Sequence, residues 1–198
     1  MLLALLVAAD WVTLLPQLAP AVPRVEIQRS DKVGVCSAAV VERTGETAFA
    51  IIAAHCVPAD STWDVVVNDK HATVVHRNAL LELAILKFRA TTEEALVIAA
   101  TAPPMGTHVA ILGYPFSSSE LGMQAGFINQ PRNPETKLTW VNMDVYFGNS
   151  GCPLVNEHGE LVGIATGVKF EGPAHVGMVI PVSRILDYLA EFRASMRL

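Results

Sequence analysis

From Arg24 onward, apolar residues alternate with polar ones or gather in short runs, and clusters of Gly, Pro, Asn or Asp interrupt them. The segments VEIQ, GVCSAAVVE, TAFAIIAAHCV, WDVVVN, HATVVH, ELAILKF, THVAILGYP, MQAGFI, LTWVNMDVYF, ELVGIATGV and HVGMVIP all follow this pattern. Period-two alternation, or a short apolar run between turn residues, predicts a strand. The last stretch, PVSRILDYLAEFRASM, changes to helical spacing. Ile185, Leu186, Leu189 and Phe192 fall on one face there, with Ser183 as the expected N-cap. The pattern predicts an all-β sandwich or barrel that ends in a helix, with no internal repeat and no low-complexity linker.

The first 23 residues, MLLALLVAADWVTLLPQLAPAVP, follow neither period and carry Asp10 as their one charged side chain. The run from Leu2 to Ala9 has the length of a signal-peptide core, and Ala19-Pro20-Ala21 resembles a small-residue cleavage site, although a basic n-region is missing. Asp10 and Pro16 interrupt any clean membrane-spanning helix. Residues 1–23 are therefore expected to be a signal peptide, a membrane anchor or a buried N-terminal segment, and residues 24–198 the folded domain. A secreted or periplasmic location, with membrane attachment through the first segment as an option, goes with that division.

Composition narrows the partners. With 198 residues, 52% of them hydrophobic, the chain can bury one sizeable core or two small lobes that share one. A net charge of −5 without a basic run argues against nucleic acid. No CxxC or HExxH spacing asks for a metal, and no cofactor is expected.

The chemistry is suggested by GNSGCPLVNEHGELVGIATG, residues 148–167, which puts Ser150 and Cys152 in one glycine-rich turn before an apolar strand. A serine becomes a nucleophile when a neighbouring base takes its proton, and the base works best when a third group fixes its tautomer. His55 in IIAAHCV and Glu82 in LLELAILKF are candidates for those two roles. Unpaired N–H groups in the turn at Gly148 and Asn149 can point at a developing oxyanion. Each feature alone has a structural explanation: a histidine after an apolar strand, a solvated strand end, a tight hairpin turn.

The order AAHC, then ELAILK, then GNSGCPLV changes the weights. From about residue 33 onward the sequence resembles the chymotrypsin-like serine peptidases. AAHC is similar to the family's histidine motif, ELAILKF to its D-L-A-x-L-K strand with Glu in place of Asp, and GNSGCPLV to its nucleophile turn with Cys152 in place of Gly or Ser. GTHVAILGYP and VGMVIPVSRI are most similar to the bacterial Deg-type and glutamyl-endopeptidase branch, and, unlike in most Deg-type members, no PDZ domain is expected.

The resemblance implies two six-stranded antiparallel barrels, a His55/Glu82/Ser150 triad, an oxyanion hole from Gly148, Asn149 and Ser150, and a polypeptide substrate. It also implies a Cys36–Cys56 disulfide holding the histidine loop, the alternative being two reduced thiols, and a Cys152 that is a compact buried hydrophobe. Ala165, Thr166, Gly167 and Val168 would pair with an extended substrate. Asp144 would select Lys or Arg, or simply cap a strand end, and His175 would assist acidic selection. Val168 crowds the pocket and ranks small aliphatic side chains first. Two rival readings stay open. One is a pseudoprotease that binds or scaffolds, with Glu82 and Cys152 recording lost catalysis. The other is an α/β-hydrolase esterase, weakened because Cys152 breaks the required G-x-S-x-G and no βαβ alternation is present.

Overall fold

The computed structural model describes residues 10–29, 32–59, 63–171 and 174–196. The chain runs through α1 (Trp11–Leu18), β1 (Arg24–Arg29), β2 (Lys32–Ser37), β3 (Ala39–Thr44), β4 (Thr47–Ala53), β5 (Asp64–Val67), β6 (Lys70–Asn78) and β7 (Leu83–Arg89). It continues through β8 (His108–Gly113), β9 (Gly122–Gln130), β10 (Thr139–Val141), β11 (Pro153–Asn156), β12 (Leu161–Glu171), β13 (Ala174–Pro181) and α2 (Val182–Ser195). Strands β1–β7 form one antiparallel sheet and β8–β13 close into a six-stranded barrel.

The first lobe differs in detail from the expected six-stranded barrel. GVCSAAVVE breaks at Ala38, whose N–H turns to Pro23 O at 3.1 Å. One predicted strand thus becomes β2 and β3, in a seven-stranded sheet of order β2-β1-β5-β6-β7-β4-β3. The two edge strands are consecutive in sequence and joined by one residue, so the sheet must curl until its edges approach each other. In the second lobe, LTWVNMDVYF is a strand only as far as Val141. Asn142 Oδ1 accepts the N–H of Phe127 at 2.7 Å and ends the pairing, which frees residues 142–147 to bend toward the 148–151 turn.

Three hydrophobic clusters hold the lobes. One fills the first sheet around Val25, Ala50, Ile52 and Leu86, and another fills the barrel around Val109, Ile128, Leu154 and Val179. The third lies between them and joins Phe49, Ile51 and Ile85 of the first lobe to Leu112, Leu161 and Ile164 of the second. Helix α2 closes this shared core with Ile185, Tyr188, Leu189 and Phe192. The sequence placed Leu186 on this face, but it is exposed and Tyr188 is buried in its stead. Pro181 occupies the N-cap position, which moves Ser183 into the first turn.

Residues 1–9, which hold the apolar core of the expected signal segment, lie outside the described residues. Asp10 caps α1 by accepting from Val12 and Thr13 N–H, and Leu18, Ala21 and Val22 are buried in the shared core. A Cβ added at Gly159, in the β11–β12 turn, would sit 3.2 Å from side-chain carbons of Leu14 and Leu18, so α1 lies against the barrel. Among the described residues no helix is long and apolar enough to cross a membrane.

Candidate active site

Strand register brings His55 and Glu82 together. In the β4–β7 ladder Ala53 pairs with Leu83, so the residue two beyond the end of β4 and the residue just before β7 are neighbours. His55 lies in a single turn of 3-10 helix, Ala54–Cys56. The N–H of Ala54 donates to Glu82 O at 3.0 Å and the N–H of His55 donates to Glu82 Oε1 at 3.2 Å. The same Oε1 is hydrogen-bonded to His55 Nδ1. Glu82 holds this contact from a backbone with φ +60°. This left-handed conformation is uncommon for a residue with a long side chain.

Cys36 and Cys56 form a disulfide with Cα atoms 6.4 Å apart. It ties the 3-10 turn that carries His55 to edge strand β2. Cys152 is a free, fully buried thiol in the barrel core, and burial pushes its pKa well above the ordinary thiol range. A thiol held protonated in this way is inert as a nucleophile.

The turn that carries Ser150 depends on two glycines. Gly148 has φ +93° and a Cβ there would lie 2.0 Å from Tyr114 O. Gly151 has φ +86° and its Cβ would lie 2.2 Å from Ser37 O. No side chain fits either place. Ser37 fastens the turn across the lobe boundary. Its N–H donates to Ser150 O at 3.0 Å, its Oγ donates to Gly148 O at 2.8 Å, and its Oγ accepts the N–H of Tyr114 at 3.0 Å. Ser37 is fully buried, and sequence reasoning missed it because an isolated serine beside a cysteine carries no signal of a contact 111 residues away.

The three expected oxyanion donors separate. The N–H of Asn149 is committed to Tyr146 O at 3.0 Å, whereas those of Gly148 and Ser150 have no backbone acceptor among the described residues. Two uncommitted donors on one turn are able to receive an anionic oxygen.

His55, Gly148 and Ser150 line one cleft of about 1000 Å³ between the lobes. Thr166, Gly167 and Val168 line it too, and a register shift between Ala165 and Gly167 interrupts the β12–β13 ladder there. Val145, Phe116 and Phe147 add an apolar wall. Asp144, Ala165 and His175 do not line the cleft. Ala165 is buried in the barrel core. Asp144 is engaged by His175 Nδ1 at 2.9 Å and by the Tyr146 hydroxyl at 3.0 Å, so its carboxylate already has a basic partner. Among the described residues no three His, Cys, Asp or Glu side chains are grouped as metal ligands.

Comparisons with known proteins agree with this arrangement. The model of the trypsin-like peptidase domain matches residues 34–164. A serine protease of Mycobacterium tuberculosis (strain H37Rv) is 28% identical over 155 residues, covering 72% of this chain and 39% of that protein. Mouse serine protease HTRA4 is 30% identical over 132 residues, covering 61% of this chain and 26% of that one. The chain thus spans well under half the length of these relatives. The crystal structure of a serine endoprotease from Yersinia pestis superposes with a TM-score of 0.78 at 25% identity, covering 94% of this chain and 67% of that chain. A family match over most of the two lobes, with the histidine loop and the serine turn facing one cleft, establishes that this chain belongs to the trypsin-like peptidase family.

Proposed function

We propose that the protein is a serine endopeptidase in which Ser150 attacks a peptide carbonyl, His55 moves the proton and Glu82 holds the imidazole. The observation that carries this reading is the His55 Nδ1 contact with the Glu82 carboxylate beside the cleft that Ser150 lines. With Nδ1–H directed at Glu82, the free ring nitrogen is Nε2, which is the tautomer a general base requires. As Ser150 Oγ bonds to the carbonyl carbon, its proton passes to Nε2 and the carbonyl oxygen becomes an anion. The N–H groups of Gly148 and Ser150 receive that anion. His55 then protonates the leaving amine, leaving an acyl-enzyme, and water repeats the two steps to release the acid and restore Ser150.

The apolar wall of Val145 and Val168 favours substrates with small aliphatic side chains at the cleavage site. The pairing of Asp144 with His175 leaves neither group free to select a charged side chain. The Cys36–Cys56 bond fits folding in an oxidising compartment, which supports a secreted or periplasmic location. Helix α1 packs on the domain, and N-terminal sequencing of the mature protein tests whether residues 1–23 are kept.

A fluorophosphonate probe tests the catalytic reading. The native protein should be labelled at Ser150, Cys152→Ser should label nearly as well, and Ser150→Ala should not label at all. A native protein that stays unlabelled while folded is a pseudoprotease.

A further inference from the structure

Two adjacent residues at the end of β6 grip the chain on either side of the His55–Glu82 contact, and neither lines the cleft. The half-buried Arg77 donates from Nε to Val57 O at 3.1 Å and from Nη2 to Ala54 O at 3.2 Å. These two carbonyls bracket His55 and Cys56. Asn78 uses Oδ1 to accept the N–H of Leu80 and of Leu81, both at 3.1 Å. That closes the turn whose next residue is Glu82, and Glu82 N–H returns to Ala79 O at 3.3 Å.

A residue such as Glu82 stays in the left-handed region only where its surroundings over-determine the backbone. The Asn78 acceptor and the Ala54 N–H bond to Glu82 O supply that constraint. Arg77 and Asn78 pair with Ala84 and Leu83 of β7, so a rigid ladder fixes both grips relative to Glu82.

We propose that Arg77 and Asn78 are positioning residues, a shared mount on which the imidazole of His55 is set against the carboxylate of Glu82. Arginine suits the first grip because its planar fork spans two carbonyls, which one ammonium does not do. An error of about 1 Å in the relation of base and carboxylate is enough to cost on the order of 10²-fold in rate. The consequence for turnover rests on the peptidase reading; the consequence for the His55–Glu82 hydrogen bond does not.

The test compares Arg77→Gln, Asn78→Ala and Asn78→Asp with the native chain. It uses turnover of one peptide ester, thermal melting, and the proton NMR signal of His55 Nδ1–H, assigned by its absence in Glu82→Gln. A hydrogen bond to a carboxylate moves this proton downfield. Arg77→Gln and Asn78→Ala should stay folded at 25 °C, lower kcat by roughly 10- to 100-fold with KM within about twofold, and lose or shift the downfield signal. Asn78→Asp retains an acceptor for Leu80 and Leu81 and should keep both signal and kcat. If Arg77→Gln unfolds, Arg77→Lys serves in its place and should still show the kcat loss. Native signal and native kcat in Arg77→Gln or Arg77→Lys and in Asn78→Ala overturn the mount, as does an Asn78→Asp protein as impaired as Asn78→Ala. A native chain that neither labels nor turns over removes the peptidase reading instead, and the downfield signal alone then decides the mount.

Discussion

In the seven-stranded lobe, His55 and Glu82 are held by side chains: the Cys36–Cys56 bond, the Arg77 fork and the Asn78 cap. In the closed barrel, Ser150 is held chiefly by backbone shape, with Gly148 and Gly151 pressed so close to neighbouring carbonyls that a methyl group has nowhere to go, and the Ser37 hydroxyl adds a side-chain fastening. Side-chain supports can be exchanged one at a time, and their loss is graded. A backbone support is present or absent. The proposed mechanism thus rests on one half that tolerates adjustment, at the Glu82 turn, and one half that does not, at the GNSG turn.

The largest effect is expected on the side-chain half. Glu82→Gln should lower kcat by about 10⁴-fold, since an amide neither fixes the tautomer nor stabilises the imidazolium. Glu82→Asp should lower it by about 10²-fold because the shorter acid falls short of Nδ1. Aspartate tolerates a positive φ better than glutamate, so the melting temperature of Glu82→Asp should hold or rise. Steady-state kinetics and a melt on each variant check both parts. An Asp variant faster than the native enzyme would mean that the turn has not adapted.

On the backbone half, Gly151→Ala should destabilise the protein by about 3–4 kcal/mol through overpacking against Ser37 O and Ile52 and through φ strain, as read from urea denaturation. An alanine protein with native stability would show that the turn has another conformation open to it.

The lobes should also separate with pH. Glu93 is buried, and burial alone would raise its pKa, but hydrogen bonds from the Lys70 ammonium, the Thr91 N–H and Asn68 together hold it at about 2. Its folded value lies below the unfolded one of about 4.5, so its contribution, up to about 3 kcal/mol, is complete above pH 4.5 and fades as pH falls toward 2. Glu93→Gln should remove that part of the pH dependence, and hydrogen exchange should show the first lobe opening before the barrel as pH falls.

The smallest change sharpens the boundary between the halves. Ser37→Ala leaves Gly148 O and the Tyr114 N–H without their buried partner, which should cost about 1–3 kcal/mol. Activity should fall with stability, because the lost bond belongs to the serine turn. A melt and a labelling rate measure the two.

The sequence reveals what is local or strongly patterned. The strands, the C-terminal helix and the order of the histidine, acidic and serine motifs are readable because each depends on spacing within a few residues. The break at Ala38 and the early end of β10 are not, since both follow from bonds to distant strands. The pairing of Asp144 with His175 is likewise invisible from 31 positions apart. The engagement of the Asn149 N–H by Tyr146 O depends on the exact path of one turn, which residue types do not specify.

The fastening of the serine turn by Ser37 bears on the order of events during folding. The bond between Ser37 Oγ and Gly148 O spans 111 residues, so it forms only after both lobes exist and have docked. Until then the loop-closure entropy of that long segment opposes the turn, and its two N–H donors have no fixed direction. A chain still emerging from the ribosome carries Ser150 and His55 on pieces that have not yet met. On the proposed mechanism, hydrolytic competence is therefore the last property the folding chain acquires.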